Sequence, residues 1–330
     1  MEKQNNNSIF SFLKEIRISV PQTYKNLTIV PFSYQNGNKV KYISLAKAMK
    51  TDGFFIKEID EGASVSDIKV INDTDYNVLI IDGEQFVGAK QNRIINATAF
   101  VRRKSKLIIN VSCVEEGRWH NVSELFKPSD NILDHRTRLD KMYAVNRNLE
   151  VRHGYHADQG EVWDRVHNLI SNHDAYSETS ALEDVYIKKE NELKKFLDKF
   201  ELLEEQNGIF VFMNNKIAGI EYISNPDIFE EYFPKIIKSY AIHAIMNKAR
   251  TKECDFIKST QEFVDGFKEC DVKKYKSIGA GYDHRYQNNK IVGSALFVDE
   301  EIVHLVGFSS DTSSPKSQGN WMRLDDYPDM

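Results

Sequence analysis

Between residues 26 and 119, apolar and polar positions alternate in short runs at fairly even spacing. NLTIVPF, GFFIKEI, VSDIKVI, YNVLIID, QFVGA, INATAFV and LIINVSCV each read as a strand, and DTD, DGE and GA mark turns between them. This pattern predicts an antiparallel β layer or sandwich. SLAKAMK at 44–50 predicts a short helix before the second strand. From 120 to 158 the periodicity fades, and the spacing supports a loop with one helical piece near 137–149. Helical spacing then takes over. Asp158-Gln-Gly-Glu161 reads as a capping box, followed by an apolar face of Val162, Trp163, Val166, Leu169 and Ile170, with Trp163 expected to face the core. Ser180-Ala-Leu-Glu183 reads as a second box. Its helix is expected to run through Val185, Leu193, Phe196 and Phe200 to Leu203, with Asn207-Gly208 as the C-cap.

GIFVFMNNKIAGIEYI predicts a hairpin turning at Asn214-Asn215, since asparagine tolerates positive φ. Asn225-Pro226 predicts the start of a long helix reaching about Arg250, with proline at its first position. Thr260 to Cys270 predicts another helix, and YKSIGAGYDHRY, KIVGSALFV and EIVHLVGF a last antiparallel set. The hairpins VFMNNKIAGIEYI and LFVDEEIVHLVGF share one pattern, which a diverged repeat or ordinary hairpin periodicity explains equally well. Together these elements predict an α+β fold, with an antiparallel β-rich N-terminal part packed with a helical and β-hairpin C-terminal part. The expected divisions are an N-terminal segment at 1–25, a β-rich part at 26–157, a helical and hairpin part at 158–308 that can form one compact unit with it, and a polar, mobile tail at 309–330.

Composition narrows the function classes. The 330 residues carry a net charge of −5, with 41% apolar and 28% charged residues, enough for a real core under an ordinary soluble surface. This balance argues against a nucleic-acid partner held by global positive charge. No apolar run reaches the roughly 18 residues of a membrane span. The start, MEKQNNNSIFSFLKEIRI, lacks the features of a signal peptide, so a cytoplasmic location is expected. The three cysteines, Cys113, Cys254 and Cys270, are scattered without CxxC spacing, which suits a reducing compartment and excludes a cysteine zinc site.

Candidate chemistry concentrates between Asp82 and Trp119. Two apolar runs are interrupted there by Glu84 with Lys90, Gln91, Asn92 and Arg93, and by Glu115, Glu116, Arg118 and Trp119. Charged and amide groups at the ends of buried strands must be hydrogen-bonded or face a ligand. Lys90 and Arg93 offer positive donors, and Gln91 and Asn92 offer amides, a set that suits a phosphate, carboxylate or nucleotide-like ligand. Neither a Walker A loop nor a dinucleotide glycine fingerprint occurs. Glu115 or Glu84 is a candidate acid or base with a raised pKa, or else Glu115 pairs with Arg93 or Arg118 in a structural network. Trp119 stacks on a ring or covers the core. Gln159 is a candidate amide donor near the site. Glu84, Lys90, Gln91, Arg93, Glu115 and Arg118 are expected to converge in space. His153 and His156 have a spacing that permits joint metal ligation, but no further ligand follows at a diagnostic distance, so no metal site is assigned. Arg102-Arg103-Lys104-Ser-Lys106 reads as a solvated hairpin turn, with contact to an anionic partner as the alternative.

At DGEQFVGAKQNR (82–93), VSCVEEGRW (111–119), DQGEVW (158–163), the 208–223 hairpin leading to PKIIKSYAIHA (234–244), and IVHLVGF (302–308), the chain resembles a known family. It is the uncharacterised ADP-ribosylglycohydrolase- and rhodanese-phosphatase-associated protein domain. The likeness spans roughly residues 20–308. It implies prokaryotic gene neighbourhoods rich in ADP-ribose-processing enzymes, and so a link to NAD-derived metabolites or conflict systems. It brings no catalytic mechanism and no cofactor.

Three functions follow as expectations. The first is a module binding a small anionic ligand of ADP-ribose or nucleotide type through Lys90, Gln91, Asn92, Arg93, Trp119 and Gln159. The second is a hydrolase of such a ligand, with Glu115 or Glu84 as base and Arg118 stabilising negative charge. The third is a non-catalytic interaction protein whose charged helix at 180–206 docks a partner.

Overall fold

The computed structural model describes residues 3–59, 66–247 and 254–310. The fold is α+β, and nearly all of its strand pairs are antiparallel. Its largest layer is a nine-stranded sheet. In spatial order it runs Arg17–Ile18, Leu27–Ser33, Gly208–Met213, Lys216–Ile223, Glu301–Ser309, Ile291–Val298, Tyr282–Gln287 and Asp271–Lys276, with Gln22–Tyr24 added on Leu27–Ser33. The Leu27–Ser33 strand therefore lies in a sheet built mainly from the C-terminal half of the chain. A six-stranded sheet holds Phe126–Ile132, Glu84–Gly88, Arg93–Ile95, Ser105–Cys113, Asp67–Asn72 and Phe54–Glu58 in that order. A small third sheet joins Ala99–Val101, Val78–Ile80 and Ile43–Ser44, the last two in parallel.

The large sheet is covered on both faces, so residues 27–32 and 208–213 are buried at every position. Side chains alternate between the two faces. Ile29, Ile209 and Val211 pack with the helix Pro226–Met246, while Val30, Phe210 and Phe212 pack with the helices Lys3–Glu15 and Phe256–Gly266. Both hairpin turns, Asn214-Asn215 and Asp299-Glu300, place two residues at positive φ, and each is followed into its strand by a register shift. The long helix starts as its sequence predicts. Asn225 Oδ1 accepts from the amides of Asp227 (2.9 Å) and Ile228 (3.4 Å), with Pro226 at the first position. It ends at Met246, where Asn247 turns extended as its C-cap, short of the expected end near Arg250.

Several boundaries differ from the sequence reading. Phe126–Ile132 is a strand, not a loop. It forms the edge of the six-stranded sheet, where Pro128 and a register shift are tolerated because one side needs no ladder partner. The helix after it spans His135–Glu150. Ser180 is no N-cap: it sits at φ +52°, and the helix begins at Leu182. Glu183 instead accepts bonds from Ser129 (2.9 Å) and Asn131 (3.0 Å). The expected single helix breaks at Lys189 into Leu182–Lys188 and Glu190–Leu197. Gly208 is no C-cap but the first residue of a strand, beneath the Phe32 ring, which leaves no room for a Cβ. Asp158 does cap the helix Gln159–Asn172, accepting from Glu161 N at 3.0 Å, and Trp163 on it is half-buried. The helix predicted over 260–270 runs over Phe256–Gly266 and ends in a tighter turn at Phe267–Glu269. The tail from residue 311 lies outside the described residues. No helix among the described residues is long and apolar enough to cross a membrane.

Candidate functional site

The strand Glu84–Gly88 runs into a tight loop with Gly88 at φ +115° and Ala89 at φ +47°. Ser123 Oγ fills the space a Cβ on Gly88 would need, which explains the glycine. The loop is tied down from within. Asn92 Oδ1 accepts from Gly88 N (3.0 Å), and Ser123 Oγ accepts from Ala89 N (2.9 Å). Arg118 then locks it to the segment after the Ser105–Cys113 strand. Its Nε and Nη2 form a two-pronged pair with Glu115 (2.8 and 2.6 Å), Nη1 donates to Ala89 O (2.6 Å), and Nη2 reaches Asn92 Oδ1 (3.2 Å). Glu115 also accepts from Asn92 N (3.0 Å) and Thr179 Oγ1 (2.8 Å). Burial pushes the Glu115 carboxyl up, but the bonds from Arg118, Asn92 and Thr179 outweigh it and hold the group below its ordinary value. Glu115 is therefore an ionised structural acceptor, not the raised-pKa base the sequence allowed.

Arg93 is completely buried beside this cluster. It donates from Nη1 to Gln91 Oε1 (2.7 Å) and Cys113 Sγ (2.6 Å), and from Nη2 to Glu58 Oε1 (3.5 Å). Gln91 passes the chain of bonds on to Glu116 O (3.2 Å). Gln159 docks its amide on the backbone of Cys113, accepting from N (2.7 Å) and donating to O (2.8 Å). It thus fastens the first turn of its helix to the strand. The structure brings Gln91, Asn92, Arg93, Glu115, Arg118 and Gln159 together, but with their polar atoms turned to one another. Glu84 does not join them, which corrects the expected convergence. It points to the long helix, where Tyr232 Oη (2.6 Å) and Lys235 Nζ (3.3 Å) donate to it, and burial pushes its carboxyl up. Lys90 and Trp119 remain outside. Lys90 is exposed with no ion pair among the described residues, and Trp119 is 59% exposed without a ring partner.

A second cluster escaped the sequence reading. Arg138 on His135–Glu150 forms a paired contact with Glu221 (2.7 and 3.2 Å) and reaches Asp82 at 3.3 Å, all three buried. Tyr240 Oη donates to Glu221 at 3.0 Å, and Lys141 pairs with Asp82 and donates to Asn96 O at 2.6 Å. A Cβ on Gly83 would meet Arg138 Cδ at 2.9 Å, so the glycine of the DGE motif makes way for the stem of this arginine. Burial pushes Lys141 down to about 8, against the pull of Asp82. Next to this cluster, Asp134 caps the helix and accepts from His243 at 2.6 Å, while His135 stacks on Tyr240. One signal available in sequence was the single charge set inside an apolar run, as Glu221 is in GIEYI; Arg138 and Lys141 lie in the charge-rich HRTRLDK and carry no such mark. Their partners lie too far along the chain to be paired by spacing. Among the described residues, no three His, Cys, Asp or Glu side chains are placed to hold a metal.

The comparison with protein families bears on this whole framework. The match covers residues 15–308, which include both clusters. The chain belongs to the ARG and Rhodanese-Phosphatase-superfamily-associated Protein domain family. No curated protein and no solved structure matches it. Within this family domain, most of the polar motif residues build the interior, while Lys90 and Trp119, outside it, follow the two residues that one bond joins, Ala89 and Arg118.

The buried histidines set an acid limit on the fold. Burial pushes His304 down to about 3 and His173 to about 4, from an ordinary 6.5. Between those values the unfolded chain binds the extra protons, so stability is full above about pH 6.5 and falls as pH drops toward 4. Urea midpoints measured from pH 7 to 4 should fall steadily, and His304→Gln should flatten part of that slope. A midpoint independent of pH in this range would contradict the neutral, buried state of these rings.

Proposed function

We propose that this protein is a binding module for a small phosphorylated ligand of nucleotide or ADP-ribose type, taken up at the two loops that carry Lys90 and Trp119 and that the Arg118–Ala89 bond joins. The observation that carries this reading is an exposed tryptophan and an exposed lysine, without ring or carboxylate partners among the described residues, on loops held by a buried arginine–carboxylate pair. An exposed indole normally lacks a reason to be held on a rigid support. Stacking on a base contributes about 1–3 kcal/mol, and a charge-assisted bond to phosphate about 1.5–3 kcal/mol. Support that is already ordered lowers the entropy cost of binding. The family description, which names association with ARG, fits an ADP-ribose-type ligand. The hydrolytic alternative has less support, because Glu115 is committed to Arg118 and Glu84 is wholly buried under Tyr232 and Lys235.

Calorimetric titration of the full chain with ADP-ribose, ADP and AMP tests the reading. At least one should bind saturably. Trp119→Ala and Lys90→Ala should each weaken it about tenfold or more, with melting temperatures unchanged, since neither side chain supports the fold. If none of the three binds, or if both variants bind like the parent, the proposal fails. Release of ribose or phosphate during the titration would favour the hydrolase instead.

A further inference from the structure

A cavity of about 640 Å3 elsewhere on the surface is lined by Lys39, Lys41, Arg102, Arg103, Asn77 and Asp299, with Val40 beside them. Four basic residues line it against one acidic residue, on a chain whose net charge is −5. They come from segments far apart in sequence, and the fold takes care to hold them there. Glu301 collects three backbone amides of one loop, from Asn38 (2.6 Å), Lys39 (2.7 Å) and Val40 (2.9 Å). Asn77 bridges the two basic segments, donating to Lys41 O (2.9 Å) and accepting from Arg103 N (3.1 Å). Arg102 is fixed by Asp299 at 3.0 Å and lies over the Phe100 ring at 5.5 Å. The backbone here is thus satisfied by Asn77 and by Glu301, and no carboxylate among the described residues neutralises the Lys39, Lys41 and Arg103 side chains. Among the described residues, Lys41 Nζ touches only Asn38 O at 3.1 Å.

A merely solvated turn would not need its like charges gathered around one hollow by three separate clamps, because such gathering adds repulsion and no packing. We propose that this cavity is a binding site for a small polyphosphate anion, a di- or triphosphate group, held by Lys39, Lys41, Arg102 and Arg103. Guanidinium groups suit the oxygens of phosphoryl groups in pairs, and lysines add mobile point charges. The volume falls in the range of about 300–1,000 Å3 typical of small-ligand sites, which favours a compact anion over a nucleic-acid strand. The site uses none of the residues of the Lys90 and Trp119 loops and stands independently of the function proposed for them.

Inorganic tripolyphosphate titrated into the full chain at low ionic strength is the test. It should bind saturably, and the affinity should fall as salt is raised, because exposed charges are screened. Lys41→Ala/Arg103→Ala should weaken it about ten- to hundredfold, and Arg103→Lys alone should weaken it only partly. Lys106→Ala removes an exposed cation that does not line the cavity and should bind like the parent. All these side chains are exposed, so melting curves should coincide. Absence of saturable binding, equal affinity in the double variant, or equal loss in Lys106→Ala would overturn the proposal. A single-stranded oligonucleotide that outcompetes tripolyphosphate, with affinity growing with its length, would also overturn it and point to nucleic acid.

Discussion

Arg138→Ala is expected to cost about 3–5 kcal/mol, the range for breaking a buried ion pair by removing one partner. With a total stability of about 5–15 kcal/mol for an ordinary protein, this brings the chain close to unfolding at ambient temperature. The reason lies in what remains. Glu221 and Asp82 are buried, and each depends on the guanidinium for a large part of its compensation. Tyr240 and Lys141 still contact them but cannot replace a two-pronged partner. Removing Arg138 also opens a hole beside Gly83, which the sequence kept small for it. Urea denaturation should show the loss directly. The double variant Arg138→Met/Glu221→Leu should regain part of it, because an apolar pair of similar volume leaves no buried charge at that point. A loss below about 1 kcal/mol in the single variant would mean that the network is not what holds the helix His135–Glu150 on the sheets.

Arg118→Ala is the second large effect, at about 2–4 kcal/mol by the same argument. Here the damage is also local. Among the described residues, Arg118 is the one side chain that links Glu115, Ala89 O and Asn92 at once. Without it, Glu115, which bonds both Asn92 N and Thr179 Oγ1, loses the charge that holds it, so hydrogen exchange at residues 88–92 and 177–181 should speed up ahead of the rest of the chain. Glu115→Gln keeps the shape but not the charge, and should cost less. Because the Glu115 carboxyl is held below its ordinary value, its contribution is present above about pH 4.5 and is lost as pH falls through the lowered folded-state value. The parent should therefore lose part of its stability in that acid range, and Glu115→Gln should lose less. Uniform exchange in Arg118→Ala, with no early opening of these loops, would contradict the anchoring role.

The parts of the fold legible in sequence were those where local chemistry and tertiary demand agree. Asn225-Pro226 caps a helix in any context, and Asn214-Asn215 reverses a hairpin for the same local reason. The Phe126–Ile132 strand was hidden because Pro128 and the charges around it are tolerable only at a sheet edge, and edge position is a property of the whole sheet. The break at Lys189 was hidden because VYIKKENELKKF keeps a helical spacing across it. In the site, the density of polar residues was legible but their direction was not. Lys90 and Arg93 are three residues apart, yet one faces solvent and the other is sealed between Gln91, Cys113 and Glu58. Arg138 and Glu221 stand 83 residues apart, and only the assembled sheets bring them face to face.

The division between an internal framework and an external contact pair is the core of this account, and equilibrium urea unfolding of Arg93→Ala beside Lys90→Ala tests it most directly. Arg93→Ala should lose about 2–4 kcal/mol, since Gln91 and the Cys113 thiol lose their donor in a buried place and half-buried Glu58 loses its ion pair. Lys90→Ala should unfold within about 0.5 kcal/mol of the parent, as exposed substitutions do. The contrary result, an Arg93→Ala chain as stable as the parent beside a Lys90→Ala chain that unfolds early, would show that the two residues have been assigned to the wrong sides of the molecule.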